Sequence, residues 1–491
     1  MRTVKSQKRD RVYGWCVGAC LVALGLGCVI DNSEELEPLE IQCIAGESDR
    51  QCSGGETTVF DASPLAFNSA VANLDDDDID KFELGQHVFT VSFQTGNGFG
   101  GDFKGVGPRF NDSSCGGCHL GNGRANPYDN RGQPTPALLV RVSKLDAQGV
   151  AHPLDAYGSQ LQPQGVSDRF EDIGGEVDIF VRWETTTGAF DDGTPYELVR
   201  PDFSFSNPAH GRFEQGFVYS PRATSSMIGL GLLEAIPSSQ ILAQADPDDE
   251  DQDGISGRPN IHRDEVTGAR KVGRFGWKSS HATLQDQNAA AMLGDIGVVS
   301  RHVRTKDCNV AMPSSPCTDV DGVLQGEVEI EDHFMDALDF YTRHIAPPAS
   351  RFGHFEEGGL HQEGLELFEE LGCDACHTPS WTTASGHPNK ALAGQVIFPY
   401  TDLLLHDMGE GLADGRPDGE ANGHEWRTAP LWGLGLVDTV NDHQRFLHDG
   451  RARNVSEAIL WHGGEAAASR DLYKALDSSE RRKLIAFLNA L

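Results

Sequence analysis

The sequence predicts a mainly α fold made of two related helical modules, with a β-rich insertion in the first. Three observations carry this. Cys-x-x-Cys-His occurs twice, at residues 115–119 and 373–377, each time downstream of an amphipathic segment. After the first motif the pattern turns to short alternating runs between Gly, Pro and Asp breaks, which is strand-like. Residues 275–291 repeat without gaps as residues 446–462, so each motif is followed by the same downstream element.

In chain order, Arg2, Lys5, Lys8, Arg9 and Arg11 precede an apolar run that is too short for a comfortable membrane span, and residues 1–28 read as an export signal. The run ends Leu24-Gly25-Leu26-Gly27-Cys28, which resembles a lipoprotein signal with Gly25 where Leu is usual. Acyl chains on Cys28 would then hold the chain at a membrane, facing the periplasm or the cell surface. A plain cleaved signal and an uncleaved anchor are the competing readings. Residues 29–60 are an acidic linker. The first module follows over 61–348. Its residues 82–89 (FELGQHVF) form a helix, residues 95–107 a glycine-rich loop, and about 137–205 the β-rich insertion, typified by 177–183 (VDIFVRW). Residues 327–345 read as a helix stopped by Pro347 and Pro348. The second module, 349–491, opens with helical residues 364–371 running into Cys373 and closes on an amphipathic helix over 478–491.

The 491 residues have room for two or three domains. A net charge of −34 excludes nucleic acid as a partner, because phosphate would be repelled. The acidic surface either steers a cationic donor or is simply solvated. Of eleven cysteines, Cys16, Cys20 and Cys28 fall in the signal and four in the two motifs. Cys43, Cys52, Cys308 and Cys317 form two close pairs, disulfides in an oxidising compartment or else free thiols.

Two thiols three residues apart reach the two vinyl groups of a haem, and the adjacent His sits beneath the iron. Cys115 and Cys118 with His119, and Cys373 and Cys376 with His377, are thus predicted to hold two covalent haems c, with the histidines as iron ligands. A zinc half-site would have to pair with its mate across about 250 residues, and a dithiol redox pair belongs at a helix start in a βαβ context. Neither alternative explains the paired histidines.

Residues 107–119 (GPRFNDSSCGGCH), 229–237 (GLGLLEAIP), 274–278 (RFGWK) and 426–436 (WRTAPLWGLGL) resemble the bacterial di-haem oxidoreductase family, from about residue 65 to the end. More distantly the chain is similar to di-haem cytochrome c peroxidases and MauG. The resemblance implies two cytochrome c-like haem domains. The N-terminal haem would reduce hydrogen peroxide or another small oxidant. The C-terminal, six-coordinate haem would pass electrons from a small cytochrome c or cupredoxin. A MauG-like oxidation of a protein or organic substrate, and a plain electron-transfer cytochrome, are the other readings. By the family's pattern His462 is the distal ligand of the second haem, with Met408 as the competing ligand and a structural histidine as the bland reading. The repeat places Ala291 opposite His462, leaving the first haem open. Trp277 would lie between the haems, with Gln287 and Asp295 as distal groups; the family's distal Glu falls nearer Gly297. Asp249, Asp251 and Asp253 before Gly254 look like the start of a calcium loop, but Asn260 occupies the closing position, so a solvated acidic loop competes.

Overall fold

Two pairs of helices, each crossing at a glycine, set the architecture of the chain in the computed structural model. The structure describes residues 43–44, 49–93, 103, 106–107, 109–165, 174–263, 268–302, 328–351 and 359–491. All of these lie in one unit, Cys43–Leu491. The export signal with Cys28, most of the acidic linker and glycine-rich loop, and Cys308 and Cys317 lie outside the described residues. Cys43 and Cys52 are joined as a disulfide.

The helices that position the sites are α1 (Ile79–Thr90), α2 (Leu230–Ala235), α3 (Leu284–Ala291), α4 (Asp332–Arg343), α5 (Leu360–Glu370), α6 (Val455–Trp461) and α7 (Ser478–Ala490). A side chain on Gly85 of α1 would collide with the Ala337 carbonyl and Tyr341 of α4. A side chain on Gly364 of α5 would collide with the Lys483 carbonyl and Phe487 of α7 in the same way. Bare backbone at these two points lets each pair approach closely. Asp477 caps α7 with a capping box to Glu480.

The repeat seen in sequence is a structural repeat. Residues 275–281 and 446–452 close the same hairpin, with antiparallel bridges Phe275↔His281 and Phe446↔Ala452. Thr283 caps α3 by accepting from Asp286 N, and Asn454 caps α6 by accepting from Glu457 N. Gly229 and Gly433 both adopt left-handed backbone (φ 66° and 69°), and their N–H groups donate to the Ile345 and Leu491 carbonyls. A side chain on Gly229 would strike Trp432 and one on Gly433 would strike Ile228. Those two residues are themselves equivalent, so the halves meet about a local two-fold. The two largest apolar cores both draw on both halves: one lies around Leu232 and Tyr341 and takes in Leu404 and Trp432, the other lies around Phe368, Tyr400 and Phe487 and takes in Phe190.

The expectation of a mainly α fold is corrected. Of the described residues, 31% are helical and 20% strand, with the strands spread over several small sheets. Strands β1 (Leu138–Leu145), β2 (Ala151–His152) and β3 (Gln160–Leu161) form a sheet in which β1 also pairs along β6 (Phe217–Ala223). Between them β4 (Asp178–Ala189) and β5 (Pro195–Ser206) make a long hairpin. The strand region therefore runs on past residue 205, and β6 carries Pro221, which hides it from a propensity reading. The hairpin tip is held by the second half: the Arg481 guanidinium lies 3.9 Å from the Phe190 ring and donates to Asp192 at 2.8 Å.

Candidate active site

Cys115–Cys118 is a single helical turn capped by Ser114, whose Oγ accepts from Gly117 N at 3.1 Å. The turn puts both thiols on the wall of one cavity and leaves His119 as its C-cap, with His119 N donating to Cys115 O. His119 Nδ1 lies 2.9 Å from the Ser225 carbonyl. An N–H there donates to that carbonyl and leaves the Nε2 lone pair free. Burial keeps the ring neutral, pulling its pKa down to about 4. The Phe89 ring of α1 backs it at 5.8 Å.

The second motif is built alike. Gly372 (φ 71°) ends α5 and turns the chain into Cys373. His377 Nδ1 lies 2.9 Å from the Tyr400 carbonyl, and the Phe368 ring of α5 stands 6.4 Å away. Burial again lowers His377 to about 4, and the nearby His462 adds to the shift. None of the four thiols is bridged. Burial pushes Cys115 and Cys373 up to about 12 and raises Cys118 and Cys376 as well. An activated dithiol has a lowered pKa, so the raised thiols count against the redox-pair reading. Among the described residues the four thiols do not converge as a zinc site either.

The first cavity gathers Trp277, Gln287, Ala291 and Asp295 with Cys115, Cys118 and His119. Asp295 lies in a π-helical turn, Met292–Ile296, that continues α3 and ends at Gly297 (φ 82°). Asp295 Oδ1 accepts from Gln160 Nε2 at 2.7 Å. Burial raises its pKa, against the lowering effects of Gln160 and the Arg141 charge. Gln287 Oε1 is buried without a hydrogen-bond partner, as is Ser280 Oγ beside it on the wall. The Trp277 indole N–H donates to Ala223 O at 2.8 Å, and its carbonyl accepts from Arg427 N of the second half at 2.9 Å.

His462 stands one residue beyond α6 as its C-cap. Its Nδ1 lies 2.7 Å from Ala458 O, again leaving Nε2 free, and burial keeps it neutral. The Met408 carbonyl borders Gly463, so the backbones that carry the two candidate ligands run beside one another. Asp249 and Asp251 converge with Asp246, while Asp253 instead accepts from Ile255 N.

Sequence reading did not single out several groups. His281 lines the first cavity and is held neutral by burial, at about 4. Near the second motif His406 is an imidazolium, its Nε2 2.8 Å from Asp402 and its Nδ1 2.7 Å from Glu465. Burial opposes that charge, but Asp402, Cys376 and Glu465 hold its pKa well above 6.5. Arg141 and Gln160 reach the first cavity from paired strands. Only the alternation along residues 137, 139 and 141 could have flagged the arginine.

Unbridged thiols, neutral imidazoles with a free nitrogen, and unpaired Gln287 and Ser280 atoms all fit a large planar iron cofactor. Two equivalent modules of this kind define the class, a two-centre haem protein. The chain belongs to the family described as "Di-haem oxidoreductase, putative peroxidase", whose model matches residues 47–491. No curated protein matches it. Among solved structures, a hydrazine synthase chain from Kuenenia stuttgartiensis, pressurised with 20 bar xenon, is similar over 93% of this chain and 100% of that one. The identity is 14% and the TM-score 0.30, too loose a likeness to carry an argument.

Proposed function

We propose that this oxidoreductase reduces hydrogen peroxide at its N-terminal centre with electrons passed through its C-terminal centre. Both haems are held as haem c, on Cys115/Cys118 and Cys373/Cys376. The supporting observation is the asymmetry of two otherwise equivalent sites: Asp295, Gln287 and Ala291 line the first cavity, whereas a histidine stands at the second. When bound, haem iron supplies the redox chemistry. His119 and His377 would hold the iron through Nε2, and His462 would be a further ligand at the second centre, with Met408 as the alternative. Asp295 takes a proton from peroxide and returns it to the departing oxygen as the O–O bond breaks. Two electrons from a donor and two protons in all give two waters. Gln287 orients the peroxide, and Trp277 lies between the centres. Burial keeps Asp295 protonated to higher pH than an exposed carboxyl, so the acid limb of the rate lies above 3.8, the ordinary Asp value.

The donor is a small cytochrome c or cupredoxin, and the chain works in the periplasm, acylated on Cys28. Rapid mixing of the di-haem protein with peroxide and a reduced small cytochrome should show sustained donor oxidation. A long-lived oxidised species without turnover would instead favour oxidation of an organic or protein substrate, and no reaction would leave plain electron transfer. Labelled fatty acid should enter the chain and be lost in Cys28→Ser.

A further inference from the structure

Two buried polar atoms on the wall of the first cavity lie around one point. Ser280 Oγ and Gln287 Oε1 both lack a hydrogen-bond partner. Both residues line the cavity together with Gly276, Ala291 and Asp295. A Cβ on Gly276 would lie 3.8 Å from Gln287 Oε1 and 3.9 Å from Ser280 Oγ. Bare backbone at Gly276 thus leaves room between the two atoms. A buried polar atom without a partner is costly, so a pair of them beside a shared opening marks a place for a small polar molecule.

The local structure holds the pair in place. The bridge Phe275↔His281 closes the hairpin that carries Gly276 and Ser280. Thr283 then caps α3, and Gln287 N donates to the Thr283 carbonyl at 3.1 Å one turn later. The Gly276 carbonyl is itself taken up by Ser279 N and Arg427 Nε.

The repeat ties the pair to what is particular to the first half. In the register that aligns Ala291 with His462, residues Gly276, Ser280 and Gln287 align with Leu447, Arg451 and Ala458. Leu447 adopts the same left-handed backbone, φ 69° against 78° at Gly276, so conformation alone does not demand glycine there. The Leu447 side chain packs on the second apolar core. Arg451 is committed to Asp449 at 2.7 Å and to the Gly411 carbonyl at 2.6 Å. Ala458 has no polar side-chain atom. Room and polarity therefore occur together in the half that has alanine in place of the histidine.

We propose that Ser280 is a substrate-binding residue of the first centre and seats a hydroperoxide group together with Gln287, in the room left by Gly276. An O–H of the peroxide donates to Gln287 Oε1, and Ser280 Oγ donates to the other peroxide oxygen. This rests on the peroxide reading above and adds a residue that holds the substrate.

The test uses the full-length holoprotein with a reduced small cytochrome as donor. A wild type that consumes no hydrogen peroxide would sink the peroxide reading and this proposal with it. With turnover present, Ser280→Ala should raise KM for hydrogen peroxide about three- to tenfold, the range expected for one lost hydrogen bond, and leave kcat near wild type. Its ferric spectrum and thermal midpoint should match those of the wild type. Ser280→Thr keeps the hydroxyl and should hold KM near the wild-type value. Gly276→Ala brings a methyl to ordinary contact distance of both atoms and should raise KM at least as far as Ser280→Ala. An unchanged KM in Ser280→Ala would overturn the proposal, because the hydroxyl would then meet only water. So would a raised KM that comes with an altered ferric spectrum of the first haem, since Ser280 would then support the haem and not the substrate.

Discussion

The hairpins 275–281 and 446–452 share a backbone and differ in what they carry. Both close with the same bridge, and both pass through left-handed backbone at Gly276 or Leu447 and at Ser279 or Gly450. Where the first has Trp277, bonded to Ala223 O and facing the cavity, the second has His448, stacked on Trp426 with ring centres 3.7 Å apart. Where the helix after the first hairpin ends in Ala291, the second is followed by His462. A duplicated scaffold thus supplies two equivalent places, and a few side chains set them apart; on the proposed function, Ala291 would leave one centre open and His462 would give the other a further ligand. On that reading, reactivity would be a property of substitutions within a repeat, not of the fold.

The sharpest way to break the comparison is at His462. His462→Ala should convert the low-spin signal of one haem entirely and leave cyanide binding at the other intact. An unchanged low-spin spectrum would make Met408 the ligand and undo the pairing of His462 with Ala291. At the open site, Asp295→Asn should slow peroxide turnover by about 10²–10⁴-fold and abolish the acid limb of its pH profile, with the second haem's spectrum unmoved. A mere packing role for Asp295 would disturb the spectrum as much as the rate.

The scaffold itself can be tested for equivalence. Gly85→Ala and Gly364→Ala each drive a methyl into the facing helix backbone and should each cost about 1–3 kcal/mol, read as similar losses in thermal unfolding. A large loss at one position only would mean the helix pairs are not equivalent supports. The smallest effect is expected from Trp277→Phe, which keeps a ring but loses the N–H to Ala223. It should slow electron equilibration between the haems by up to about tenfold, or about 1.4 kcal/mol. No change in that rate would remove Trp277 from the route.

Sequence alone determined what depends on covalent spacing and local period. Cys-x-x-Cys-His defines its chemistry over five residues, so the two motifs, their histidines and the family were legible without any fold. The repeat was legible too, because residues 275–291 and 446–462 align without a gap, and so were the helices leading into each motif, where an apolar stripe recurs every turn. The balance of helix and strand was not. Short strands such as Gln160–Leu161 leave no period to read, and their pairing is settled by partners far along the chain. The π turn at Met292–Ile296 likewise escaped a helical count, since its extra residue shows only in three-dimensional hydrogen bonding. Gln160 bonded to Asp295 and His406 held between Asp402 and Glu465 were decided by tertiary structure alone. Each joins groups from strands and loops distant in sequence, and nothing in a linear pattern records which buried charges face one another.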